Sequence, residues 1–229
     1  MLRRQIPNLI TLGNLLCGVL ACKAAALWQI ELAALFICLG IFLDFFDGLA
    51  ARLLGVASPL GKELDSLADV VTSGVAPGFI LYVLLHRLCL PDPVALLAFL
   101  IPLFAAYRLA KFNLDTRQGH SFLGLPVPAN ALIWVGLALW HDMPRYTVAP
   151  GIALLVISLI TNVLMVSEMP MFSLKFNFKD MNWKSNSVQY LFLIGCAVII
   201  AASRQWYAIS LIILWYIILS AITRKKHVE

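Results

Sequence analysis

Four aspartates within an apolar stretch place the strongest constraint on this chain. Asp44 and Asp47 are three residues apart and Asp65 and Asp69 are four apart, so each pair shares one face of a helix. If the two helices meet, the carboxylates form a cluster that Mg²⁺, Mn²⁺ or Ca²⁺ would neutralise, because hard cations prefer oxygen ligands. A buried ion-pair network is the alternative, but one Arg and one Lys cannot balance five nearby acids, counting Glu63. The pattern therefore favours a metal site.

The composition indicates an integral membrane protein. Its 229 residues are 62% hydrophobic and only 13% charged, whereas a soluble domain is about half apolar. The net charge of +5 indicates topology and attraction to anionic lipid, because no basic patch interleaved with aromatic residues suggests binding to nucleic acid. Apolar segments recur from end to end, which favours a single membrane domain over residues 1–229.

The apolar segments predict an all-α protein with about eight transmembrane helices. They lie at about residues 9–27, 31–54, 65–87, 94–112, 127–141, 148–167, 188–202 and 206–222. The first resembles a signal peptide, but we expect an uncleaved helix because more spans follow it. A turn over residues 55–61 is expected before the third span. The segment at 127–141 is shorter than the ~20 residues that cross a bilayer, so whether it spans fully is left open.

The basic residues predict how the chain is oriented. With eight spans and the amino terminus inside, 13 of the 17 Lys and Arg residues fall on inner ends and loops: Arg3, Arg4, Arg52, Lys62, Arg108, Lys111, Arg117, Lys175, Lys179, Lys184, Arg224, Lys225 and Lys226. This asymmetry places both termini and the aspartates on the cytoplasmic side of the inner membrane.

The aspartates belong to a longer pattern, D-x2-D-G-x2-A-R-x8-G-x3-D-x3-D, over residues 44–69. Gly48 lets a ligand or a second helix approach the backbone closely, and the guanidinium of Arg52 can bind a phosphate in bidentate fashion. Carboxylates that bind metal beside such an arginine suit phosphoryl or phosphatidyl transfer. The pattern, with Gly61 as its later glycine, is similar to the signature of the CDP-alcohol phosphotransferase family.

The resemblance implies an activity, a metal and a set of contacts. Members of the family transfer a substituted phosphate from a CDP-linked donor to an alcohol and release CMP. Asp44, Asp47 and Asp65 would bind Mg²⁺ or Mn²⁺, as one or two ions, and Asp69 would be the general base with partial metal contact. The six-helix family fold would be a catalytic core at about 1–168, to which the helices at about 188–222 are added. The residues expected to bind the donor are Asn8, Thr11, Gly48, Arg52, Ser58, Gly61 and Lys62. The alternative for Lys62 is that it only flanks the membrane.

Further stretches narrow the resemblance within the family. Residues 7–18, 61–69, 73–77, 107–113 and 124–130 look like those of bacterial and archaeal phosphatidylserine synthases. The hypothesis is phospholipid biosynthesis by transfer of a phosphatidyl group from CDP-diacylglycerol to L-serine. The carboxylate of serine needs a cation, for which Arg108 and Lys111 are the candidates, with Asn113 as a polar partner. The alternative is that these basic residues only anchor the helix at the inner face.

Two other functions stay open at this point. The first is the same chemistry with another acceptor, such as glycerol phosphate, inositol phosphate or choline, and Arg117 and His120 could serve a phosphorylated one. The second is a divalent-cation transporter, which would be expected to carry carboxylates along a pathway rather than in one band. Similar enzymes are often homodimers, although no residue of this sequence establishes that state.

Overall fold

The structure, a computed structural model, describes residues 2–115, 122–140, 147–172 and 186–223. Within these ranges the fold is all-α, as predicted, with one short antiparallel pair of strands, β1 (Phe122–Leu123) and β2 (Pro170–Met171). The helices are α1 (Leu2–Ala26), α2 (Ile30–Leu53), α3 (Pro59–Arg87), α4 (Asp92–Leu114), α5 (Val127–Ala138), α6 (Val148–Val166), α7 (Ser187–Ser203) and α8 (Ala208–Thr223).

Five of the described helices are long and apolar enough to cross a membrane. They are α1 to α4 and α6, so the prediction of an all-α membrane protein is confirmed. The other three are apolar but shorter, with 12 residues in α5, 17 in α7 and 16 in α8. The segment expected at 127–141 ends its helix at Ala138, and at 1.5 Å per residue it rises only ~18 Å against a hydrocarbon core of ~30 Å. As described, α5 alone is too short to span.

The third helix begins earlier than the sequence analysis expected. Residues 55–61 do not all form a turn, because α3 starts at Pro59 rather than near residue 65. The hydroxyl of Ser58 accepts a hydrogen bond from the backbone N–H of Gly61 at 3.1 Å, and Pro59 occupies the first helical position, where its missing N–H is not needed. The expected turn was therefore wrong in extent, and Asp65 lies well inside the helix.

A wide turn interrupts α3 immediately after Asp69. The helix is α-helical over Pro59–Asp69, π-helical over Val70–Val75 and α-helical again over Ala76–Arg87. Thr72 of this π turn packs between α1 and α2, where a Cβ atom on Gly18 or Gly40 would collide with its side chain. The two glycines therefore allow α1, α2 and α3 to approach one another closely.

Two groups of buried apolar side chains hold the helices together. The larger lies among α1 to α5 on the side away from the aspartates and includes Ile37, Leu85 and Trp134. The smaller joins α4, α5 and α6 to α8 and includes Met165 and Tyr216. Because these groups pack α2, α3 and α4 side by side, they determine where the polar residues of the three helices meet.

Candidate active site

Three aspartates from two helices converge, as the spacing predicted. Asp44 and Asp47 come from α2 and Asp65 from α3, and one carboxylate oxygen of each lies within 4.8 Å of the other two. Asp69, one turn further along α3, lies outside this group of three but interacts electrostatically with Asp44, Asp47 and Asp65. We call these four residues the aspartate cluster.

The aspartate cluster forms no ion pair with a Lys or Arg among the residues that the structure describes. No Lys or Arg nitrogen there lies within 4 Å of any of its carboxylates. The Nε atom of Arg52 instead donates to the backbone carbonyl of Gly48 at 2.9 Å, and the Nζ atom of Lys62 donates to that of Asn113 at 3.2 Å. The alternative of a buried ion-pair network is thereby not supported, and the mutual repulsion of the carboxylates is left for a ligand to relieve.

The donor set fits a divalent cation. Oxygen ligands of Mg²⁺ and Ca²⁺ lie at about 2.0–2.6 Å from the ion, so opposite ligands are separated by about 4–5 Å, which matches the spacing of the three carboxylates. All three are acceptor-only groups when ionised. Asp44, Asp47 and Asp65 are therefore the residues that would hold such an ion.

Helix α1 orients two members of the aspartate cluster. The hydroxyl of Thr11 donates to Oδ2 of Asp47, and Nδ2 of Asn14 lies 3.4 Å from Oδ1 of Asp69. Thr72 in turn donates to the backbone carbonyl of Asn14 at 3.0 Å. Asn14 shares a helix face with Asn8 and Thr11, and this spacing is compatible with interhelical hydrogen bonds, but only Asn8 and Thr11 were expected to bind the donor.

A cleft of about 620 Å³ opens beside the aspartate cluster. Asp47, Asp65 and Phe112 form part of its wall. A Cβ atom on Gly48 would meet only the guanidinium of Arg52, at 4.0 Å, so this glycine faces open space rather than a packed helix. The cleft wall also contains every residue that the sequence analysis expected to bind the donor: Asn8, Thr11, Gly48, Arg52, Ser58, Gly61 and Lys62.

The three residues expected to bind the acceptor have different surroundings. Arg108 is 8% exposed, its guanidinium lies 5.0 Å from the centre of the Phe112 ring, and it interacts electrostatically with Asp69. Lys111 instead forms an ion pair of 3.6 Å with Glu168. The side chain of Asn113 donates to the hydroxyl of Ser66 at 2.9 Å.

Of these three, Arg108 is therefore the one that the structure associates with Asp69. Two further candidates for a phosphorylated acceptor, Arg117 and His120, lie outside the described residues. Phe112 and Glu168 were not anticipated. The sequence pattern Y-R-L-A-K-F-N at 107–113 contains Phe112, but no local pattern connects Lys111 to Glu168, which is 57 residues away.

Comparison with known proteins agrees with this geometry. The family model for CDP-alcohol phosphatidyltransferases matches residues 4–173, which are 170 of the 229 residues. A protein named CDP-diacylglycerol–serine O-phosphatidyltransferase from Bacillus subtilis is 43% identical over 138 residues, covering 60% of this chain and 77% of that protein. Its namesake from Helicobacter pylori is 34% identical over 183 residues, covering 77% of this chain and 74% of that protein.

A more distant organism gives the same result. The protein of that name from Methanocaldococcus jannaschii is 37% identical over 131 residues, which cover 57% of this chain and 59% of that protein. The family match includes the aspartate cluster, the cleft and nearly all of α1 to α6, whereas α7 and α8 lie beyond it. The chain therefore belongs to the CDP-alcohol phosphatidyltransferase family.

Proposed function

We propose that this protein transfers the phosphatidyl group of CDP-diacylglycerol to the hydroxyl of L-serine, giving phosphatidylserine and CMP. The observation that carries the proposal is the aspartate cluster, which forms no ion pair with a Lys or Arg of the described residues and borders an open cleft. Membership of the family supports a CDP-linked donor. The names of the relatives support serine as the acceptor.

The donor occupies the cleft in this proposal. Among the described residues, Arg52 and Lys62 donate there to neutral backbone carbonyls. A phosphate is a stronger acceptor because it carries a charge opposite to theirs, and an arginine can bind it in bidentate fashion. Both side chains can therefore exchange their carbonyl partners for the diphosphate, and Asn8 and Thr11 lie at the α1 wall for the cytidine end. Ser58 and Gly61 line the floor where α3 begins.

Asp69 is the general base of the proposed reaction. It takes the proton of the acceptor hydroxyl while the hydroxyl oxygen forms a bond to the phosphorus next to diacylglycerol, and the bond from that phosphorus to the CMP oxygen breaks. Asn14 orients the carboxylate through its Nδ2 atom. Asp69 is 8% exposed, so water, which would hydrolyse the donor, has little access to it.

Mg²⁺ or Mn²⁺, as one or two ions, is the proposed cofactor, held by Asp44, Asp47 and Asp65 with a partial contribution from Asp69. Bound there, it would neutralise phosphate charge and stabilise the departing CMP. Thr11 serves this site by fixing Asp47 through its hydroxyl. Substitution of Thr11 would therefore affect the metal site as well as the donor site.

The arrangement in the membrane is part of the proposal. The aspartate cluster and the amino terminus face the cytoplasm across the inner membrane, and the carboxyl terminus does so if the segment at 127–141 crosses it; the distribution of Lys and Arg supports this orientation. We assign residues 1–229 to one membrane domain with a catalytic core at about 1–168. The homodimer stays a prediction from the family resemblance, to be tested by the mass of the protein in lipid nanodiscs.

An acceptor competition tests the proposed function. Purified protein in detergent receives CDP-diacylglycerol, Mg²⁺ or Mn²⁺, and separately serine, glycerol phosphate, inositol phosphate or choline, while CMP and the lipid product are measured together. We expect CMP and phosphatidylserine with serine alone. CMP release with a different acceptor would support phosphatidyl transfer but contradict serine as the acceptor. Folded protein that releases no CMP with any acceptor but carries Mg²⁺ into liposomes would replace the enzyme with a transporter.

A further inference from the structure

Two fully buried side chains, one on α3 and one on α5, have polar atoms with no hydrogen-bond partner in the described structure. They are the hydroxyl of Ser73 and the carboxamide of Asn130, whose oxygen and nitrogen are both unpaired. Native proteins rarely leave buried polar atoms unpaired, and each exception calls for an explanation such as a ligand. Both residues lie in stretches that the donor cleft does not use.

Ser73 differs from other helical serines of the chain. Ser66, Ser203 and Ser220 each donate a hydrogen bond to the carbonyl four residues earlier, at 3.2, 2.8 and 2.8 Å. This local bond is the usual way for a serine hydroxyl to be satisfied inside an apolar helix. Ser73 lies in the π turn and makes no such bond. Its hydroxyl is therefore free to bind something else.

Packing brings together the segments that carry Ser73 and Asn130. Val127 and Val70 belong to one apolar group, and Ala131 and Ala76 belong to the other, so residues on either side of Asn130 and of Ser73 share the same two groups. The π turn and α5 are in direct contact.

Helix α4 brings a buried positive charge to the same region. A Cβ atom on Gly74 of the π turn would lie 3.0 Å from Cβ of Ala105, so the two helices touch there. Arg108 follows Ala105 by three residues, shares its helix face and interacts electrostatically with Asp69. Apart from this interaction, the guanidinium contacts the Phe112 ring and makes no hydrogen bond within the described residues. A buried cation without a hydrogen-bonded anion can pair with an anionic ligand.

We propose that Ser73, Arg108 and Asn130 form the site that binds the amino-acid part of the acceptor. The inference rests on the proposed function and deepens it by assigning the acceptor's contacts. Arg108 pairs with the carboxylate of the zwitterion, and the carboxamide of Asn130 can accept from its ammonium group and donate to its carboxylate. The hydroxyl of Ser73, about one turn from Asp69, supplies a further polar contact.

The charge of this site selects among acceptors. It combines one buried cation with two neutral polar groups, which matches an acceptor that carries one carboxylate and one ammonium group. A phosphorylated alcohol brings additional negative charge that these three residues would not balance. Lys111, the other nearby cation of α4, is already paired with Glu168. The site therefore favours an amino acid over glycerol phosphate or inositol phosphate.

Steady-state kinetics of Asn130→Ala and Ser73→Ala test the inference. Asn162→Ala is the matched control, because Asn162 is also an asparagine that is fully buried with an unpaired carboxamide oxygen, but on α6, where its nitrogen bonds to Ser158. The measurements are the KM for serine, the KM for CDP-diacylglycerol, kcat and the melting temperature of each protein.

Loss of a hydrogen bond to a charged ligand predicts about a tenfold or larger rise in the KM for serine with Asn130→Ala, and the KM for CDP-diacylglycerol should change less than about twofold. Ser73→Ala, which removes one oxygen atom, should also raise the KM for serine. Asn162→Ala should leave the KM for serine unchanged. If both test variants keep the wild-type KM for serine, the inference is overturned while the proposed function stands. Wild-type protein without serine-dependent CMP release overturns both.

Discussion

Acidic groups near the two ends of α3 have opposite surroundings. At the end away from the aspartate cluster, Asp92 at the start of α4 accepts a hydrogen bond from the Tyr82 hydroxyl at 2.6 Å and lies 3.1 Å from Nε2 of His86. These contacts join the end of α3 to the start of α4. In the aspartate cluster, by contrast, no carboxylate forms an ion pair with a Lys or Arg of the described structure.

The difference separates an acid that serves the fold from acids that serve a ligand. The chain itself satisfies Asp92, so the fold gains from its presence. The carboxylates of the aspartate cluster repel one another where they are partly buried, so they destabilise the folded state until a cation binds. Functional sites commonly reduce stability in this way. Substitutions at the two ends should therefore change different observables.

Removal of divalent metal should have the largest effect. Dialysis against EDTA should reduce CMP release to the background rate. Without a cation, the carboxylates of the aspartate cluster would repel the negatively charged diphosphate of the donor. Added Mn²⁺ or Mg²⁺ should restore the rate, which a coupled assay for CMP follows directly. Full activity after exhaustive dialysis would contradict the metal-dependent mechanism.

Asp69→Asn should have the next largest effect on turnover. Loss of a general base typically lowers the rate by about 10²–10⁴-fold, and asparagine keeps the shape and the contact with Asn14. CMP release is the measurement, with binding of CDP-diacylglycerol and the melting temperature as controls for folding. A variant that turns over at near wild-type rates would show that another group takes the proton.

Arg108→Gln should have a smaller effect that depends on the acceptor. Loss of a charged hydrogen-bonding partner corresponds to about 10–10²-fold in kcat/KM for serine. The kcat/KM for ethanolamine, which lacks the carboxylate, should fall much less. The ratio of kcat/KM for serine to that for ethanolamine should therefore decrease. The two acceptors are compared in the same CMP assay. An equal loss for both would assign Arg108 to the fold or to the donor instead.

Thermal unfolding should show the smallest effects, with opposite signs at the two ends. Without metal, Asp65→Asn should raise the melting temperature because it relieves repulsion within the aspartate cluster. Asp92→Asn should lower it by removing the ionic partner of Tyr82 and His86, and should leave turnover close to wild type. Equal destabilisation by both substitutions would remove the distinction between the two ends.

Much of the candidate site could be predicted from the local spacing of residues in the sequence. Separations of three and four residues were enough to predict that Asp44, Asp47 and Asp65 meet, because helical periodicity fixes which side chains share a face. The residues expected to bind the donor came from the family resemblance, and all of them line the cleft. The early start of α3 was also readable in principle, since Ser58 followed by Pro59 is typical of a helix amino terminus.

Long-range packing was beyond the sequence patterns. The partner of Lys111 is Glu168, at the end of α6, and nothing near either residue indicates that they meet. The helices at the carboxyl end were expected to be an addition to the core. These helices pack closely on the rest of the bundle, because Tyr216 of α8 is buried and donates to the backbone carbonyl of Phe172 at 3.1 Å. Such contacts depend on how whole helices pack, which periodicity within one helix does not specify.

Binding of Mn²⁺ without substrate tests the central claim most directly. Free and bound Mn²⁺ are distinguished by electron paramagnetic resonance in titrations of wild-type protein, Asp65→Asn and Asp92→Asn, all in the same detergent. We predict that wild type and Asp92→Asn bind Mn²⁺ equally well and that Asp65→Asn binds it far more weakly. Equal binding by Asp65→Asn and wild type, or loss of binding in Asp92→Asn alone, would contradict the assignment of the aspartate cluster as the metal site.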